Sequence, residues 1–205
     1  MEIRSAALIF SAVGAACIAL AWLAIRHKIA SVWGAMGLVA GLLGVIALAS
    51  ERVGFIDRTT VPGAAGLGLA AGVVLYLATW GFMSVAGGWG PLARHTDDLY
   101  EHRHGVTLAR ALAIAVLVVA PAEELFWRGM VQGVLSEELG TVAGAAAGWA
   151  LYVVANAASG SIPVILGVAV AGAVWAGLAA WSGGVLVSIV CHAVWTGLMI
   201  LRRPG

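Results

Sequence analysis

Long apolar runs alternate with short polar breaks along this chain, and seven of the runs are long enough to cross a bilayer: about 5–25, 29–49, 63–88, 107–135, 139–158, 162–181 and 184–201. A helix needs about 20 apolar residues to traverse the hydrocarbon core. In lipid every backbone N–H and C=O must be satisfied within the segment or in a closed barrel. Continuous apolar runs of this length, without a period-two alternation, therefore predict helices. The expected architecture is an all-α, polytopic membrane helical bundle of about seven transmembrane helices, forming a single transmembrane domain over 1–205.

The breaks fall at Arg26-His27-Lys28, at 50–62, at 89–106 and at Ser136-Glu137-Glu138. The third is the most charged. It holds Arg94, His95, Asp97, Asp98, Glu101, Arg103 and His104, with Leu92, Leu99 and Tyr100 interleaved. Both a short interfacial helix and a solvated loop fit that pattern. Small residues four apart, such as Gly37 with Gly41 and Gly144 with Gly148, let helix backbones approach closely in lipid, so these glycines are read as packing positions. Trp22, Trp33, Trp89 and Trp181 fall near span ends and are expected as interfacial anchors. Trp127, Trp149, Trp175 and Trp195 lie deeper and are expected to pack. No inverted repeat of the transporter kind is visible.

Composition agrees with a bilayer as solvent. The chain is 62% hydrophobic and 10% charged, with a mean hydropathy of +1.01, too little polar surface to coat a water-soluble globule. A formal net charge of +1 gives no basic excess for nucleic acid. Arg4, Arg52 and Arg58 fall on one side of the expected spans. Arg26, Lys28, Arg94, Arg103, Arg110, Arg202 and Arg203 fall on the other. The positive-inside rule makes the second set cytoplasmic, with the N-terminus out and the C-terminus in. The first apolar run continues past Cys17 to Ile25, longer than the apolar region of a cleaved signal, and is read as a span. Cys17 and Cys191 both lie within apolar runs and are expected as inert buried thiols. The alanine- and glycine-rich composition hints at a GC-rich bacterial genome, and the bacterial cytoplasmic membrane is the expected location.

The fourth run holds three ionisable residues, Glu123, Glu124 and Arg128, within Pro121-Ala122-Glu123-Glu124-Leu125-Phe126-Trp127-Arg128. Each costs about 2.5–3.5 kcal/mol at mid-bilayer on insertion scales. Glu124 and Arg128 are four residues apart and share a helix face, which suits an ion pair. Glu123 is turned about 100° from Glu124 and points elsewhere, as a separate general base would. Later runs offer polar groups at the same one-turn spacing, Tyr152 with Asn156 and His192 with Thr196. At 1.5 Å per residue, Glu123 lies about 21 Å from the turn near Glu137, Asn156 about 28 Å and His192 about 12 Å from the same side. A shared site in the middle or inner part of the membrane is compatible with those depths, with Pro121 a candidate kink.

The order Glu-Glu-x-x-x-Arg, then Tyr152-x-x-x-Asn156, then His192-x-x-x-Thr196 resembles the CPBP family of intramembrane proteases. These are the CAAX proteases and bacteriocin-processing enzymes, also called the abortive-infection family. The resemblance covers about Ala109 to Leu201, with three accessory spans before it, and Ser182-Gly183-Gly184 is similar to the small turn ahead of the family's last motif. It implies a glutamate-dependent endopeptidase acting on a protein or peptide from the membrane or its cytoplasmic side. Glu123 would activate water, Glu124 and Arg128 would hold the site together, and His192 with Thr196 would stabilise the oxyanion. In the family the second motif usually reads Phe-x-x-x-His and the last ends in Asn or Asp. Here Asn156 replaces the former His, and asparagine orients water without taking its proton. Asn156 and Thr196 remain the candidate residues at those places. A catalytic zinc needs about three protein ligands, so neither metal nor cofactor is expected. Two further classes stay open: an inactive family member that binds a membrane protein, as an immunity factor would, and a proton-coupled transporter. The transporter lacks a continuing chain of ionisable groups, since the first three spans hold none in their interiors.

Overall fold

The computed structural model describes residues 2–204, with side chains described at all of these but 2–5, 103 and 104. The side chains of Arg4, Arg103 and His104 thus lie outside the described residues. The described chain is helical nearly throughout. It comprises α1 (Glu2–Arg26), α2 (Val32–Ala49), α3 (Val61–Ala86), α4 (Gly90–Glu101) with a 3-10 turn at His102–Gly105, α5 (108–139), α6 (Thr141–Ala157), α7 (Ile162–Ser182) and α8 (Leu186–Leu201). Each expected span is a helix, and the charged segment between α3 and α5 is helical as well.

Local chemistry sets the boundaries. Ser31 and Thr60 accept from the N–H groups of Gly34 and Gly63 at 3.1 and 3.2 Å, and Thr107 accepts from Arg110 N–H at 3.3 Å, so side-chain caps open α2, α3 and α5. Proline in the first turn of α3, α4 and α7 removes an N–H that would have no helical acceptor. The α7–α8 turn needs glycine twice. Gly183 has φ +71°, and a Cβ on Gly184 would lie 2.5 Å from the Phe55 carbonyl carbon. The loop after α2 is bonded there, with Val185 N–H donating to Gly54 O at 3.0 Å and Leu186 N–H to Phe55 O at 3.1 Å. That strap fixes where α8 begins, and so where His192 sits.

By length and apolar composition α1, α2, α3 and α7 suffice to cross a membrane. The apolar helices α6 and α8 are shorter, 17 and 16 residues. Large apolar side chains such as Leu38, Leu42, Val45, Val85, Val142 and Val154 face outward, as lipid contact requires. The α5 helix is central and touches α1, α2, α6, α7 and α8. It widens into π-helix at Ala115–Val119 and Leu125–Val131, where Ala120 N–H reaches Ala115 O and Gln132 N–H reaches Trp127 O. The first π stretch lies just ahead of Pro121, which has no N–H to give, so the turn widens around the break.

Close packing is carried by glycines other than the expected pair on α2. A Cβ on Gly44 would lie 2.7 Å from Ala122 Cα, and one on Gly72 would lie 2.8 Å from Cys191 O and Val194 Cβ. Gly37 and Gly41 would meet only ordinary contacts at 3.4 and 3.5 Å. Gly144 does press onto the Ser136 backbone. The α3–α8 pair is the most extensive helix contact.

Charges gather at two opposite ends. At one, Arg52 pairs with Glu137 at 3.1 Å and Arg58 donates to Trp181 O at 3.1 Å. At the other, Arg203 pairs with Asp97, Tyr100 donates to Met199 O at 2.8 Å and Trp33 donates to His102 O at 2.8 Å. Arg26 lies against Gly160 at that same end.

Candidate active site

Glu123 and Glu124 close the short α-helical stretch Ala120–Glu124 of α5, and the second π-helical stretch carries Arg128. All three are withdrawn from the surface, Glu124 completely and Glu123 and Arg128 to 5% and 4% exposure. A carboxylate placed so deep has to find partners within the bundle. Arg128 Nη1 lies 3.3 Å from Glu124 Oε1, one turn along the same face. Arg128 Nη2 donates to Gly172 O of α7 at 3.0 Å. One turn further, Gln132 Nε2 donates to Ala176 O at 3.2 Å, so α5 is zipped to α7 through two successive turns.

His192 of α8 stands between the two glutamates. Its Nδ1 lies 2.9 Å from Glu124 Oε1 and its Nε2 lies 4.0 Å from Glu123 Oε2. With Nδ1 held against Glu124, Nε2 is turned to Glu123. The imidazole is stacked on Trp175 of α7, with ring centroids 3.6 Å apart and planes 14° from parallel. Glu123 receives a second contact from α6, where Tyr152 O–H donates to its Oε2 at 3.1 Å. The tyrosine ring lies 4.5 Å under the Arg128 guanidinium carbon and 5.2 Å from the Trp127 ring. A Cβ at Gly172 would come within 2.9 Å of that ring, so glycine there makes room for it.

Four of the six residues expected at the site, Glu123, Glu124, Arg128 and His192, are thus brought together, and the two glutamates have different partners. They are less separate than the 100° offset implied, because the imidazole bridges them. Asn156 is not bonded to either carboxylate. Its Oδ1 accepts from Trp22 Nε1 at 2.6 Å and its Nδ2 donates to Tyr152 O at 2.9 Å, so both ends of the amide are committed. The reason lies in depth: α6 meets Glu123 at Tyr152, one turn earlier. The same bond corrects the reading of Trp22, whose indole N–H finds its acceptor inside the bundle, at the contact of α1 with α6. Thr196 Oγ1 is buried without a hydrogen-bond partner among the described residues.

Two participants were not singled out from the sequence. Gln132 was accessible, lying four residues after Arg128 on the same face. Trp175 carried no polar signal; its role follows from α7 packing beside α8. Tyr152 was read as a polar group one turn from Asn156 and was not placed among the six site residues. Among the described residues no group of three or more His, Cys, Asp and Glu side chains is clustered for a metal ion. Two surface cavities, of about 250 and 450 Å³, lie at the Arg26 end and share Ser31, Glu101 and His102 in their linings. Neither is lined by a residue of the glutamate cluster.

Comparison with protein families gives a likeness for the stretch that holds the cluster. Residues 105–198 match the family described as type II CAAX prenyl endopeptidase Rce1-like. Residues 105–198 are thus similar to the CAAX protease family. No curated protein and no solved structure matches the chain. The matched stretch contains Glu123, Glu124, Arg128, Tyr152, Asn156, His192 and Thr196, so every polar group of the cluster falls within the CAAX protease region. The four apolar helices long enough to span, with this likeness to a membrane protease family, make the chain an integral membrane protein; the four preceding helices, α1–α4, lie outside the match.

Proposed function

We propose that this protein is an intramembrane endopeptidase that cleaves a membrane-associated protein or peptide with water activated by Glu123. The reading rests on one observation above the others: adjacent buried glutamates with different partners, and a histidine whose two nitrogens face one each. Glu124, held by Arg128 and His192, serves as structure and as the orienter of the imidazole. Among the described residues, Glu123 is met by the Tyr152 hydroxyl and the far nitrogen of His192. The 4.0 Å between Glu123 and His192 is too long for a direct hydrogen bond and suits a bridging water. Glu123 then takes the proton of that water as its oxygen attacks the peptide carbonyl. The imidazole, oriented by Glu124 and carrying a proton on Nε2, donates to the charge that develops on the carbonyl oxygen. Such stabilisation commonly contributes about 3–4 kcal/mol per donor.

The end bearing Arg26, Lys28, Arg202 and Arg203 is proposed to face the cytoplasm of a bacterial cell, under the positive-inside rule. Prenylated tails, leader peptides and C-terminal sorting segments are the substrate classes compatible with a site in this position. One observation favours a second reading, a catalytically silent member that binds a membrane protein: the asparagine in place of the family's second-motif histidine, turned toward Trp22. The two readings part in one experiment. New peptide termini in membrane and secreted proteins are compared among cells lacking the protein, cells with wild type and cells with Glu123→Gln. Termini present only with wild type support the peptidase. Identical termini in all three, with the variant folded and present in the membrane, support binding without cleavage.

A further inference from the structure

Asn156 stands where the family's second motif carries a histidine, yet its amide is bound to Trp22 and to the carbonyl of Tyr152. The one side chain of α6 that does touch the general base is Tyr152, through its hydroxyl at 3.1 Å from Glu123 Oε2. That hydroxyl is placed by several independent contacts. The ring is held against Trp127, lies under the Arg128 guanidinium and fills the space that Gly172 leaves without a Cβ. The residue is 2% exposed. With the ring fixed by its surroundings before reaction, only the hydroxyl hydrogen has to rotate when charge appears, which keeps the reorganisation small. Packing alone would be served by phenylalanine, and the hydroxyl would then be a buried polar group with no purpose.

We propose that Tyr152 is a catalytic residue that supplies, from α6, the donor that the missing second-motif histidine does not. The assignment rests on the endopeptidase reading. In the resting site the hydroxyl donates to Glu123. During reaction Glu123 takes a proton from water, the water oxygen bonds to the carbonyl carbon, and the C=O pair moves onto oxygen. Tyr152 O–H then turns its hydrogen bond to that oxyanion, beside His192. On collapse the C–N bond breaks, Glu123 returns its proton to the departing amine, and an acid and an amine leave. Tyr152 keeps its proton throughout.

The test uses the purified full chain in lipid vesicles and a peptide spanning a cleavage site mapped in cells. Tyr152→Phe is expected to lower kcat about 100- to 1,000-fold, as loss of an oxyanion donor does, with KM and the unfolding temperature nearly unchanged. Trp22→Phe removes the donor to Asn156 and is expected to leave kcat within about threefold, since single interhelical bonds of this kind contribute little. Fluorotyrosine at position 152, which keeps the fold and alters only the acidity of the hydroxyl, is expected to shift kcat and its pH profile. If Tyr152→Phe fails to fold, the fluorotyrosine protein carries the test. A Tyr152→Phe protein with wild-type kcat, or fluorotyrosine without effect, while Glu123→Gln is inactive, overturns the role of Tyr152 alone. Cleavage that survives Glu123→Gln, or no cleavage by wild type, removes the endopeptidase reading and this assignment with it.

Discussion

At the scale of single residues, the cluster is ordered by one cation. Arg128 is 4% exposed and answers Glu124, the Gly172 carbonyl and the faces of Tyr152 and Trp175 together. Removing one partner of such a pair leaves an uncompensated buried charge, which costs about 3–5 kcal/mol. Arg128→Met is therefore expected to lower the unfolding temperature of the detergent-solubilised protein sharply. Arg128→Lys should recover little of it, because an ammonium lacks the planar fork that reaches carboxylate and carbonyl at once. Equal unfolding temperatures for Arg128→Met and wild type would remove this structural role. The Glu124–Arg128 pair was legible in the sequence, since a spacing of four fixes a shared helix face. The Trp22–Asn156 bond was not. It joins residues 134 positions apart and depends on how α1 lies against α6, which no local spacing encodes.

At the scale of elements, lipid removes the hydrophobic drive between helices, so shape decides which ones meet. The stretches that would be helices were readable from apolar length, and the polar segment at 89–106 admitted two readings, of which the helix is the one found. The π-helical stretches of α5 were not readable, although Pro121 marked the place where the ladder had to change. Which small residues matter was only partly visible. All sit in similar sequence surroundings, yet a Cβ on Gly72 meets backbone and a branched side chain at 2.8 Å while one on Gly37 meets a methyl group at 3.4 Å. Gly72→Val is expected to destabilise by about 1–3 kcal/mol through overpacking of α3 against α8, whereas Gly37→Ala should stay within about 0.5 kcal/mol of wild type. Thermal unfolding of both variants checks the contrast, and equal effects would contradict the packing described.

At the scale of the whole molecule, two charged ends enclose a cluster buried within the bundle. Apolar content alone required a bilayer, and the family region was legible from the order of three short polar motifs. The way the chain crosses the bilayer follows from charge, and it can be tested without reference to catalysis. With Cys17 and Cys191 replaced by alanine, Arg58→Cys is expected to react with a membrane-impermeant thiol reagent applied outside intact cells. Arg203→Cys should react only after the cells are opened. The reverse labelling would invert the proposed orientation and would place the Arg26 end, with its two cavities, outside the cell.

The central claim is that Glu123 activates the water that cuts a peptide within the membrane. The most direct measurement is cleavage of a mapped substrate peptide by purified wild type and Glu123→Gln, reconstituted side by side in lipid vesicles and matched in unfolding temperature. The account predicts cleavage at a single bond by wild type and loss of at least about 1,000-fold in kcat for the variant, the scale expected when an essential acid–base group is removed. Cleavage at comparable rates by both proteins would contradict it.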